Sequence, residues 1–124
     1  MFVLVVDDDE EVRNLIEDAL QMHAYEVVAT ATEQEAEEVR RRRSTADIGL
    51  VICDINLTVN SQAQEGYALY QRWTTAEASL PFLLISGDPQ AISLPAIRTG
   101  AVRFLPKPFS INDLITAVQA LMRQ

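Results

Sequence analysis

Apolar residues fall in short uninterrupted blocks along this chain, separated by longer stretches in which they recur every three or four positions. Five blocks, Phe2–Val6, Tyr25–Ala29, Ile48–Cys53, Pro81–Ile85 and Val102–Leu105, are rich in Val, Ile, Leu or aromatic residues. Each is too short for an ordinary helix, so these blocks are the predicted strands. Between them the period is helical: Val12, Leu15, Ile16, Ala19 and Leu20 form one stripe, and Ile111, Leu114, Ile115, Val118, Leu121 and Met122 another. Thr32 followed by Glu35 reads as a capping box, and Ser110 followed by Asp113 is a weaker relative of it. Gly100, after Arg98, is a helix stop. Strand and helix alternating five times imply an α/β fold with a parallel sheet covered on both faces, because parallel neighbours need right-handed crossovers. The fourth crossover carries Pro89 and Pro95. Proline is tolerated in a first turn, so its helix is predicted to start late, near Ser93–Pro95, leaving Asp88–Ile92 irregular.

The 124 residues, 48% of them hydrophobic, suffice for one core and not for two ordinary domains, so residues 1–124 are read as a single domain with no output domain. No apolar run approaches the roughly 20 residues needed to cross a bilayer, and the start lacks the basic and long apolar regions of a secretory signal. A cytoplasmic protein without membrane contact is expected. With 18 acidic against 10 basic residues the net charge is -8, which opposes direct attraction to nucleic acid or anionic lipid and favours cations and protein partners. The single cysteine, Cys53, closes an apolar run and reads as packing.

In open parallel sheets, ligands bind outside the carboxyl ends of the strands. Asp7 and Asp8 follow the first block, Asp54 the third, Ser86 the fourth, and Lys107 the fifth after Pro106, whereas the second is followed only by Thr30 and Thr32. Three carboxylates, a hydroxyl and an ammonium are therefore expected to converge. Carboxylates brought together resist ionisation unless a cation compensates them. Mg²⁺ or Mn²⁺ suits an acidic pair plus an acceptor, since Mg²⁺ prefers oxygen ligands and keeps several waters. Asp54 is then the nucleophile for phosphoryl transfer, with Lys107 and the Ser86 hydroxyl meeting the phosphoryl oxygens and Gly87 leaving room beside the incoming group.

The segments VLVVDDDE, LVICDINL, LLISGD and FLPKPF, in this order, resemble the motifs of the receiver domains of two-component response regulators, the chemotaxis regulators included. The resemblance covers essentially the whole chain. It implies a flavodoxin-like, doubly wound, five-stranded parallel sheet of order 2-1-3-4-5 with five helices. It also implies that Asp8 is a direct Mg²⁺ ligand, Asp7 binds through metal water, Asn56 contributes its backbone carbonyl, and Asp54 is both ligand and phosphoacceptor. Lys107 would contact the phosphoryl group, and its bond to Pro108 resembles the cis peptide of the family. Ser86 and Phe104 resemble the switch pair through which phosphorylation changes the face made by the fourth helix, fifth strand and fifth helix. The implied function is a phosphorelay: Asp54 accepts a phosphoryl group from a histidine kinase or a histidine phosphotransfer protein, then loses it to water or a downstream histidine. Such a protein catalyses only its own phosphorylation and dephosphorylation, and a downstream protein target follows from it.

Two features depart from the family pattern. Thr58 stands where proline is common, and the segment Thr58–Glu65 makes the loop before Gly66 about four residues longer than usual, with consequences for kinase docking or metal access. The second is the proline-bearing fourth crossover. Asp9 offers a rival pair with Asp8, but the residue directly after Val6 gives the better register, and Asp8 or Asp9 is also a candidate cap of the first helix. His23 reads as a surface residue. Arg40–Arg43 read as the solvated end of the second helix, with Glu37 and Glu38 pairing Arg41 and Arg42 at i,i+4 spacing. Trp73 and Leu69 share a helical face and read as packing. Two rival functions are a receiver-shaped interaction module that is never phosphorylated, and a phosphatase of the haloacid-dehalogenase type. Against the second, Asn56 stands where those enzymes place a general-acid aspartate.

Overall fold

The computed structural model describes residues 1–57 and 64–122, so most of the long loop expected at Thr58–Glu65 lies outside the described residues. The described chain runs β1 (Phe2–Val6), α1 (Glu10–Met22), β2 (Val27–Thr30), α2 (Glu33–Arg43), β3 (Ile48–Asp54), α3 (Glu65–Ala76), β4 (Phe82–Ser86), α4 (Pro95–Arg98), β5 (Arg103–Pro106) and α5 (Ile111–Met122). The strands form one parallel sheet of order β2-β1-β3-β4-β5, the flavodoxin-like arrangement expected.

β1, β3 and β4 are buried at every position, which is why they read as apolar runs up to Asp54 and Ser86, the last residues of β3 and β4. Successive side chains point to opposite faces. Phe2, Leu4 and Val6 join α2 and α3 in one core through Ala36, Leu69 and Trp73. Val3 and Val5 join α1 and α5 in the other through Ile16, Leu20, Leu114 and Val118. From β1 the chain winds to β2 on one side and then crosses to β3 on the other. The loops leaving β1 and β3 therefore diverge and open a crevice at the carboxyl edge.

Local signals set most boundaries, and the departures have physical causes. β2 starts at Val27 and not at Tyr25 because Ala24 and Tyr25 close α1: Ala24 N–H donates to Gln21 O (3.0 Å) and Tyr25 N–H to Leu20 O (3.1 Å), a Schellman motif. β5 begins at Arg103 because the Val102 amide donates to Ala96 O (3.2 Å). Asp9 is the α1 cap, accepting from Glu11 N (3.0 Å). Thr32 Oγ1 accepts from Glu35 N (3.1 Å), while the Glu35 carboxylate accepts from Ala31 N (2.7 Å), one residue beyond the usual capping-box partner. Ser110 Oγ accepts from Asp113 N (3.0 Å). Gly100, at φ +78°, ends α4. That helix does start at Pro95, but Asp88–Ile92 is not irregular: Pro89–Ser93 forms a 3-10 turn, started by Asp88 Oδ1 accepting from Gln90 N (2.9 Å).

His23 is exposed, with Nδ1 3.0 Å from Ala19 O. In α2, Glu38 pairs with both Arg41 (2.5 Å) and Arg42 (2.9 Å). Glu37 does not take Arg41 as expected. It pairs with Arg40 (3.6 Å) and accepts the Trp73 indole N–H, while the Arg40 guanidinium lies 4.9 Å from the Trp73 ring. Trp73 is a buried core residue edge-on to Phe82, and it also binds α2 to α3.

Ala24 sits at φ 65°, a left-handed position that suits glycine. Replacing Ala24 with Gly is expected to stabilise the protein by about 1 kcal/mol, read as a higher urea midpoint at unchanged slope.

Candidate functional site

Asp7 follows β1, Asp54 ends β3, Ser86 ends β4 and Lys107 follows β5, so the parallel register delivers all four to one edge. The β4–β5 register is extended by Lys107 N–H donating to Ser86 O (2.8 Å). Lys107 is the only lysine of the chain. Its Nζ lies 2.8 Å from Asp54 Oδ2 and 3.0 Å from Asp7 Oδ2. The ammonium is aimed at Asp54, and Asp7 Oδ2, fully buried, accepts no well-directed hydrogen bond although it lies in ion-pair range. Asp54 Oδ1 accepts from Asn56 N (3.1 Å). Asp7 Oδ1 accepts from Asp9 N (2.9 Å), fixing the turn that presents Asp8. Arg13 Nη1 donates to Asp7 O (3.0 Å) from the second turn of α1.

One oxygen from each of Asp7, Asp8 and Asp54 lies within 4.8 Å of the others. A single ammonium for three carboxylates leaves negative charge uncompensated. Burial, opposed by the Lys107 hydrogen bond and reinforced by the Asp7 charge, pushes Asp54 up to about 6. Asp8 is raised by burial and by Asp7. Lys107 is held above its ordinary range: burial pulls it down, but the Asp54 hydrogen bond and the charges of Asp54 and Asp7 outweigh this. A hard divalent cation fits this donor set, which is all oxygen, partly open through Asp8, and includes a buried carboxylate oxygen without a hydrogen bond.

Ser86 is buried, and its Oγ accepts from Asp88 N (3.0 Å). Phe104 is half-buried and packs on the α3 side of the sheet together with Ala96 and Ile97 of α4. The Lys107–Pro108 peptide is cis. Gly87 is exposed, and a Cβ there would stand 3.9 Å from Lys107 Cβ, so the space beside the acceptor edge is real. Cys53 is buried, with Sγ 3.4 Å from Asp54 O and its thiol raised by burial, in keeping with a packing role.

The response regulator receiver domain family matches residues 3–119. The chain belongs to that family. The regulatory protein VirG of Rhizobium radiobacter is 32% identical over 123 residues, covering 98% of this chain and 43% of VirG. The virulence transcriptional regulatory protein PhoP of Salmonella choleraesuis (strain SC-B67) is 30% identical over 125 residues, covering 100% of this chain and 53% of PhoP. The chain thus spans about half the length of these relatives. Among solved structures, the receiver domain of NtrX from Brucella abortus superposes with a TM-score of 0.83 at 29% identity, covering 98% of each chain.

Two features of this receiver domain's site escape a reading of strand ends. One is Arg13, which reaches Asp7 O from a helix whose apolar stripe gives no sign of it. The other is Gly66, in the first turn of α3: its N–H donates to Ile55 O (2.8 Å), and a Cβ built on it would stand 1.7 Å from Asp54 O. The helix is pressed onto the backbone of Asp54. A glycine after a long loop is the only trace of this in the sequence.

Proposed function

We propose that this receiver domain is a phosphorelay module, residues 1–124 acting as one unit, in which Asp54 accepts a phosphoryl group from a phosphohistidine on a histidine kinase or histidine phosphotransfer protein. The observation that carries the reading is the gathering of Asp7, Asp8 and Asp54 within 4.8 Å around one ammonium. Asp7, Asp8, Asp54 and the Asn56 carbonyl are the proposed holders of Mg²⁺ or Mn²⁺. A cation bound there supplies positive charge to the phosphoryl oxygens and offsets the carboxylates.

The chain's own groups do the rest. A carboxylate oxygen of Asp54 forms the bond to phosphorus as the bond from phosphorus to the donor imidazole nitrogen breaks, and the electron pair leaves with the imidazole. Asn56 N–H orients the acceptor carboxylate through Oδ1. Lys107, which bridges Asp54 and Asp7 before transfer, turns its ammonium to the incoming phosphoryl oxygens, and the Ser86 hydroxyl does the same. Turning Ser86 gives up its bond to Asp88 N and lets Phe104 repack, which shifts the α4-β5-α5 face. The shift is a change of populations worth about 1–3 kcal/mol. The domain acts on no separate substrate. A protein target downstream, a cytoplasmic setting and no direct nucleic-acid contact complete the proposal, the last consistent with the net charge of -8.

The test is intact mass after incubation with a small phosphodonor, with and without Mg²⁺. Wild type is expected to gain one phosphoryl group only with the metal, and Asp54→Asn to gain none. A wild type that stays unmodified and binds no phosphoryl mimic would identify an interaction module, and multiple-turnover phosphate release from small substrates a phosphatase. Lys107→Met is expected to slow phosphoryl uptake about 100-fold, as loss of one preorganised donor does, measured as the initial rate of mass gain.

A further inference from the structure

We infer that Tyr67 is a positioning residue that ties the acceptor strand to α4 and β5 by a route separate from Ser86 and Phe104; the inference rests on the phosphoacceptor reading of Asp54. Tyr67 is 8% exposed and directly follows Gly66, the residue pressed onto the Asp54 carbonyl. Its hydroxyl accepts from Ala96 N (3.1 Å), across 29 residues of sequence.

That amide is the one α4 cannot satisfy itself. Leu94, at the helix cap, offers no side-chain acceptor, and Pro95 has no N–H. Ile97 N–H and Arg98 N–H both reach Leu94 O (3.0 and 2.8 Å) and Thr99 N–H reaches Pro95 O (3.0 Å), which leaves Ala96 N–H to Tyr67. On its other side, Ala96 O accepts from Val102 N (3.2 Å), the residue before β5. Ala96 is thus held at both ends, by α3 next to Asp54 and by the lead-in to the strand carrying Phe104. α4 is a single turn of four residues, so these bonds are a large share of what fixes it. They belong to the arrangement in which Lys107 still engages Asp54 and Ser86 still accepts from Asp88, the state without a phosphoryl group.

A bond made in one of two states favours that state, and its loss strengthens whatever binds the other. Tyr67→Phe keeps the buried ring and removes only the hydroxyl that accepts from Ala96 N. The probe is beryllofluoride with Mg²⁺, a stable mimic of the phosphoryl group, titrated by calorimetry into wild type and Tyr67→Phe, with Ala96 amide exchange followed by NMR. Faster exchange at Ala96 together with about 3- to 10-fold tighter beryllofluoride binding is expected, the range set by one hydrogen bond. A cap with a merely structural role would raise exchange and lower stability while leaving the affinity unchanged. Unchanged or weaker binding overturns the inference. Wild type that fails to bind the mimic overturns the phosphoacceptor reading instead, and this one with it.

Discussion

At pH 7 the Asp54→Asn protein is expected to be more stable than wild type by about 3 kcal/mol, and at pH 4 by only about 0.5 kcal/mol. Asp54 is pushed up to about 6 from an ordinary 3.8, a difference that corresponds to about 3 kcal/mol. Its neutral form is the one the fold prefers. The favourable contribution is therefore fully present below pH 3.8, fades as pH rises, and is lost above about 6, where the folded protein must carry the charge. Asparagine is never charged, so the mutant escapes this loss while Lys107 retains Asp7 at 3.0 Å. Asp8 is shifted in the same direction in both proteins and largely cancels in the comparison. Millimolar Mg²⁺ is expected to narrow the gap at pH 7, because a cation that binds only the folded wild type stabilises it. Urea unfolding at pH 4 and pH 7, with and without the metal, measures all of this. A gap that is absent at pH 7, or that widens toward acid, would show that burial does not disfavour the charged form of Asp54.

The burial of the strands also explains why so much of the site was legible in the sequence. A parallel strand buried on both faces cannot hide its ends: β1, β3 and β4 are uninterrupted apolar blocks, and the first polar residue after each stands at the carboxyl edge. Asp7, Asp54 and Ser86 were located by that argument, and Lys107 by the same logic one residue beyond β5. What the sequence concealed are contacts that cross between elements. Nothing in the sequence around Tyr67 reveals that its hydroxyl meets an amide in α4. Trp73 hides its indole bond to Glu37 in the same way. Tyr25 has the composition of a strand residue, but its amide completes the Schellman motif of α1, so turn chemistry overrides β-propensity there.

Gly66→Ala is expected to cost about 3 kcal/mol or more, the upper range for forcing a methyl group into a packed site. The added Cβ would stand 1.7 Å from Asp54 O, 2.7 Å from Asp54 C and 3.1 Å from Cys53 Sγ. Two of these neighbours are backbone, so no rotamer change relieves the clash. Either the first turn of α3 lifts off or the end of β3 moves, and both loosen the bond from Gly66 N to Ile55 O. The requirement at Gly66 is for space and not for an unusual dihedral. Gly87 provides the contrast on the same edge: a Cβ there meets only Lys107 Cβ at 3.9 Å, an ordinary contact, so Gly87→Ala is expected to change stability by less than about 0.5 kcal/mol. Urea midpoints for the two variants, taken in an Ala24→Gly background to keep the weaker one measurable, give the comparison. A loss below about 1 kcal/mol for Gly66→Ala would mean that α3 does not rest on Asp54 in solution. In that case the Tyr67 route from the acceptor strand to α4 would lose its first link, whereas the Ser86 and Phe104 route would stand.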